Sequence, residues 1–140
     1  MTPNYHVVTL FPGMFAALTE YGVSGRALKT GLVRLQCWDP RDFTSDNYRS
    51  VDDRPFGGGP GMVMLVEPLD LALTAVKTAL AQQGLVQPRM VYLTPQGRLL
   101  DHALVAELAR ERALVLLCGR YEGIDERLFE RHRLEEISIG

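Results

Sequence analysis

Between Gly119 and Gly123 the chain carries an arginine, a tyrosine and a glutamate, Arg120-Tyr121-Glu122. Glycines on both sides let backbone amides approach a ligand closely. Arg120 and Glu122, one residue apart, can present a cation and an anion to one small molecule. A local salt bridge is the alternative, but an exposed bridge adds at most about 1 kcal/mol and leaves the glycines unexplained. A second polar turn, Thr94-Pro95-Gln96-Gly97, also follows an apolar run. A third group, Asp52-Asp53-Arg54-Pro55-Phe56-Gly57-Gly58-Gly59-Pro60-Gly61, closes a polar stretch, 39–61, that has no period. Loops of that length inside compact domains are uncommon. The aromatics around it, Trp38, Phe43, Tyr48 and Phe56, argue against plain disorder. It reads as a lid that orders over a ligand, with a flexible surface connection as the bland alternative.

Several chemistries have no signature here. The glycine-rich stretch is followed by no Gly-Lys-Ser/Thr, so it is not a P-loop, and the Gly-x-Gly-x-x-Gly dinucleotide fingerprint is missing. A Gly-x-Ser-x-Gly elbow is absent too. His6, His102 and His132 are scattered, and no metal-ligand spacing appears. His6 lies in an apolar run and reads as a core histidine. His102 and His132 fall in the first and last turns of expected helices and read as solvated. Asp125, Glu126 and Arg127 open a helix, where acidic groups suit the positive end of the dipole.

The elements that must hold these turns follow from periodicity. Residues 5–11 and 114–118 are continuous apolar runs, as in strands buried on both faces of a parallel sheet. Pro12 opens a helix whose apolar face is Met14, Phe15, Leu18 and Tyr21, and Gly22 ends it. Ser24 caps a short helix that ends at Gly31. Residues 32–38 alternate as a half-exposed strand, and 62–66 form a short apolar one. Leu69, Leu73, Val76 and Leu80 recur at helical spacing, and Gly84 stops that helix. A strand spans 90–93, and Asp101 caps the next helix. A helix over 124–131 and an alternating strand over 135–139 complete the chain. Strand, helix, strand, helix, strand argues an α/β fold with a parallel sheet and covering helices. Ligands in such sheets sit beyond the carboxyl ends of strands, where the turns at 94–97 and 119–123 fall.

The 140 residues suit one domain. They are 46% apolar and 23% charged, with a net charge of −2, so any nucleic-acid partner must be drawn by local arginines or by another domain or subunit. The two cysteines, Cys37 and Cys118, lie far apart, which suits a reducing cytoplasm. No apolar run approaches the roughly 18 residues of a membrane span, and the amino terminus lacks a signal-peptide pattern.

Taken together, the segments resemble the bacterial tRNA (guanine-N1-)-methyltransferase (TrmD) family of the SPOUT class. The collinear stretches include LFPGMF (10–15), PRDFT (40–44), VDDRPFGGGPGM (51–62), YLTPQG (92–97), CGRYEGIDER (118–127) and SIG (138–140). The resemblance implies a parallel-sheet SPOUT methyltransferase domain with a deep trefoil knot in its carboxyl-terminal half, although knots are almost absent from proteins. It implies S-adenosyl-L-methionine as cofactor and methylation of N1 of the guanosine 3′ to the tRNA anticodon, position 37. It further implies a cytoplasmic homodimer, with the tRNA anticodon loop as partner and no membrane association. Tyr92, Leu93, Thr94 and Pro95 would line the adenosine side. Gly119 and its neighbours would supply backbone contacts, and Ser138, Ile139 and Gly140 would begin a third loop. Arg120 and Glu122 resemble the supporting pair near the methionine end and the target base. Asp53, Arg54, Gly57, Gly58 and Gly59 resemble the substrate lid. No metal is expected.

The family continues with the rest of that third loop, a catalytic aspartate serving as general base, and a tRNA-gripping carboxyl-terminal domain. Residues 1–140 therefore read as the S-adenosylmethionine-binding domain alone, inactive by itself, because guanine N1 carries a proton that needs a base within reach. Two competing readings are a knotted methyltransferase acting on ribosomal RNA and a non-enzymatic α/β binding module.

Overall fold

The computed structural model describes residues 2–44, 66–119 and 123–140, and the backbone of 52–53 and 63–64. Five strands form one sheet: β1 (Asn4–Val8), β2 (Arg34–Trp38), β5 (Arg89–Leu99), β6 (Ala113–Cys118) and β7 (Glu135–Ser138). Their order is β2-β1-β6-β5-β7, and every pairing is parallel. A separate antiparallel pair joins β3 (Asp52–Asp53) to β4 (Val63–Met64). The helices are α1 (Ala16–Thr19), α2 (Gly22–Lys29), α3 (Val66–Ala81), α4 (His102–Ala109) and α5 (Arg127–Arg131).

The expected parallel α/β sheet is thus present, and its strand alternation sorts two cores. Met90, Tyr92, Val115 and Leu117 meet Leu69, Leu73, Val76 and Leu80 of α3 and Leu128 of α5. Val91, Leu114 and Ile137 meet Leu104 of α4 from the other face. An apolar run in a strand covered on both faces is what this requires. Asp101 caps α4 as expected, accepting from Leu104 N at 2.8 Å, and Gly84 turns with φ +78° after α3. Arg89 anchors the start of β5 to its neighbours. It donates to Glu135 at 2.6 and 2.9 Å and pairs with Glu107 at 2.9 Å. The Arg89 hydrogen bonds hold the Glu135 carboxyl below the usual range against its partial burial.

Several local expectations need correction. The helix expected from Pro12 is split into a 3-10 turn, Pro12–Phe15, and the four-residue α1. Its presumed core face is not covered: Met14 and Tyr21 are 74% and 69% exposed. Gly22, expected only to stop a helix, opens α2. Ser24 lies inside α2, and its hydroxyl donates back to Leu18 O at 2.7 Å instead of capping. The last helix is shorter than expected, starting at Arg127, with Asp125 accepting from Arg127 N at 3.0 Å.

The largest difference concerns β5. The expected strand over 90–93 does not end at the 94–97 turn but resumes and runs to Leu99. Ile137 of β7 has two partners in it, Leu93 before the turn and Arg98 after it. Leu100 N then donates to Ser138 O at 2.8 Å. β5 therefore flanks β7 on both sides of the turn. At the crossing, a Cβ on Gly97 would overlap Glu136 C and Ile137 N. Backbone cannot step aside as a side-chain tip can, so Gly97→Ala should cost on the order of 1–3 kcal/mol. The check is urea unfolding, with a midpoint fall that an exposed control, Gln96→Ala, does not reproduce.

Candidate active site at the strand ends

A cleft of about 380 Å³ opens at the carboxyl ends of β5 and β6. The 94–97 turn forms one wall through Thr94, Pro95 and Gln96, and Gly119 and Gly123 form another. Tyr92, Phe129, Glu126 and Glu136 complete it. Its volume falls in the range of about 300–1,000 Å³ usual for small-molecule sites.

Tyr92 is the base of the cleft. It is buried, and its ring meets Phe129 edge-on, centroids 6.0 Å apart at 64°. A Cβ on Gly119 would stand 2.8 Å from Tyr92 Cε1, so glycine is what lets the end of β6 close over that ring. Burial, with the nearby Glu136 carboxylate, pushes the phenol's pKa up, so its hydroxyl stays a donor at neutral pH. The cleft thus combines an aromatic floor, strand-end backbone and two carboxylates that accept from hydroxyl or ammonium groups.

Of the residues singled out from sequence, Tyr92, Leu93, Thr94, Pro95 and Gly119 converge here. Ser138, Ile139 and Gly140 are not among the described residues that line the cleft. Ser138 is buried and pairs with Leu99, its hydroxyl accepting from Gly140 N at 3.2 Å. Ile139 is exposed. Arg120 and Glu122 lie outside the described residues, as do Arg54, Gly57, Gly58 and Gly59. Asp53 is placed as backbone in β3, paired with Val63. Sequence reasoning did not assign Phe129, Glu126 and Glu136 to the site.

Behind the cleft lies a polar cluster on α3 and α5. Asp70 accepts from Arg131 Nη1 at 2.9 Å and contacts His132 Nε2 at 2.6 Å. His132 Nδ1 lies 2.7 Å from Lys77 Nζ. Because an ammonium only donates, His132 accepts at Nδ1 and donates from Nε2 to Asp70. His132 is therefore buried, 5% exposed, rather than solvated as expected. His6 is the core histidine anticipated, accepting from Trp38 Nε1 at 3.0 Å.

A profile described as "tRNA (Guanine-1)-methyltransferase TrmD" matches residues 4–140. The chain belongs to this family. Relatives called tRNA (guanine-N(1)-)-methyltransferase from Cupriavidus taiwanensis and Burkholderia multivorans are 58% and 57% identical over 137 residues. Each alignment covers 98% of this chain, and 53% and 52% of the respective relative. The chain thus spans about half the length of the curated relatives it matches. The crystal structure of tRNA (m1G37) methyltransferase from Aquifex aeolicus is 35% identical, with a TM-score of 0.82, over all of this chain and 61% of that one.

The buried histidine carries a pH prediction. Burial lowers the His132 pKa first; Asp70 opposes this, while Lys77 and Arg131 reinforce it, and the net shift is down from 6.5. A histidine whose folded pKa is depressed stabilises the fold above its unfolded pKa and loses that contribution as pH falls. His6, lowered by burial, acts in the same direction. The melting temperature should fall as pH drops from about 7 to about 5. His132→Gln should flatten that slope without abolishing it, as differential scanning calorimetry across the pH series will show.

Proposed function

We propose that this chain is the S-adenosylmethionine-binding domain of an enzyme that methylates N1 of the tRNA guanosine 3′ to the anticodon, position 37. The observation that carries the reading is the cleft formed by 92–96, Gly119 and Gly123, in a chain 58% identical to a relative called tRNA (guanine-N(1)-)-methyltransferase. Volume, aromatic floor and paired carboxylates suit a nucleoside bearing ribose hydroxyls and an amino-acid tail. The cofactor supplies an electrophilic sulfonium methyl, so the protein's task is alignment of donor and acceptor.

In this reading Tyr92, Leu93, Thr94 and Pro95 hold the adenosine side, and Gly119 offers backbone. Ser138, Ile139 and Gly140 begin a third loop. Arg120 and Glu122 support the methionine end and the target base, and Asp53, Arg54, Gly57, Gly58 and Gly59 belong to a lid over it. The base leaves the anticodon-loop stack to enter. Its N1 proton goes to a general base, which the family resemblance gives as an aspartate.

A trefoil knot in the carboxyl-terminal half is part of the proposal, supported by the flanking of β7 by both parts of β5. So is a homodimer, supported by the exposed apolar side chains Met14, Leu18, Tyr21 and Val23. A cytoplasmic site of action accords with a tRNA substrate. Among the described residues no helix is long and apolar enough to cross a membrane.

The test is methyl transfer by the full gene product to tRNA transcripts, read as a primer-extension stop. Transcripts with guanosine at 37 should be modified at N1, and those with adenosine there should not. Modification of ribosomal RNA instead, or of neither RNA, would overturn the assignment. Tyr92→Ala should weaken S-adenosylmethionine binding by about tenfold or more, in line with the loss of a buried aromatic contact. Tyr92→Phe should retain most of it, as isothermal titration will measure.

A further inference from the structure

The helix α5 is only five residues long, Arg127–Arg131. A helix that short has no stability of its own, so tertiary contacts must place it. One is Leu128, fully buried against α3. The others are polar and come from one end: Arg131 and His132 both reach Asp70, and His132 also reaches Lys77. The same segment presents Phe129 to Tyr92, and Glu126 and Phe129 line the cleft. One short element thus joins a partly buried hydrogen-bond chain on α3 to the wall and floor of the cleft.

We propose that Asp70 and His132 are positioning residues for the cleft, locking α5 to α3 so that Phe129 and Glu126 stand in register with Tyr92. Neither residue lines the cleft. The imidazole suits the role because it is at once acceptor from Lys77 and donor to Asp70, bridging two groups that sit two turns apart on one helix. Leucine in its place would remove the Lys77 acceptor and leave Asp70 to Arg131 alone, and an unmet polar group beside the core is costly. The inference rests on the reading of the cleft as the S-adenosylmethionine site.

The experiment compares, in the full gene product, His132→Leu, His132→Gln and His6→Leu with the parent. His6 is an equally buried histidine with a hydrogen bond to Trp38, and it does not line the cleft. Two readouts are taken on folded protein well below each melting temperature: S-adenosylmethionine affinity by titration calorimetry, and hydrogen exchange of peptides covering 92–96 and 124–132 without ligand. His132→Leu should raise the dissociation constant about tenfold, the scale of one lost buried hydrogen-bonded partner. It should also speed exchange over 124–132. His132→Gln should recover part of both effects, and His6→Leu should show neither despite a lower melting temperature. Equal effects from His132→Leu and His6→Leu, or no effect from His132→Leu, would overturn the proposal. If the parent chain bound no S-adenosylmethionine, the functional reading would fall. The exchange comparison would still decide whether the lock holds α5.

Discussion

The structure depends on a backbone crossing at Gly97. β7 pairs with β5 both before and after the 94–97 turn, and the two strands meet where a single methyl group would overlap the Glu136–Ile137 peptide. Close packing of two backbones leaves no soft partner to yield. The crossing holds the 94–97 turn over the end of the sheet, and that turn is the wall of the cleft. A fold contact and a site contact are therefore the same contact. Backbone contact at Gly97 thus helps hold a polar turn in a defined shape.

A second glycine acts at shorter range. Gly119 ends its strand directly over the Tyr92 ring, and Tyr92 in turn meets Phe129. The cleft floor is thus continuous with the α3-facing core, which includes Tyr92, Leu117 and Leu128. Packing on that face propagates to the ligand side through rigid aromatic contacts rather than through loops. The carboxylates at the rim, Glu126 and Glu136, come from two different elements, so they converge only once α5 and β7 are both seated.

Buried polar groups are handled differently in different places. Arg89 meets Glu107 and Glu135 at a partly open edge, where the bidentate geometry favours ionised partners. His132 sits deeper and stays neutral between an anion and a cation, which satisfies both ring nitrogens without burying a further charge. Among the described residues no buried side-chain nitrogen or oxygen lacks a partner, in keeping with the cost of leaving such atoms unmet.

Much of this was legible in the residues themselves. The continuous apolar run over 114–118 and the helical spacing in 69–80 specify which faces are covered, and cover on both faces of a strand argues a parallel sheet. Asp101 and Gly84 mark their boundaries by local chemistry that needs no distant partner. The turns at 94–97 and 119–123 advertise a site because glycine and proline punctuate apolar runs there. Other features were not legible, because they join residues far apart in the chain. The resumption of β5 beyond its turn exists only because β7, some forty residues later, supplies hydrogen-bond partners to Arg98 and Leu99. His132 looks like a solvated helix-end residue until α3 brings Asp70 and Lys77 to it across more than fifty residues. Local pattern determines which elements form and which side they bury. Which elements meet end to end, and so which side chains share one cleft, is decided by long-range packing that no window of sequence contains.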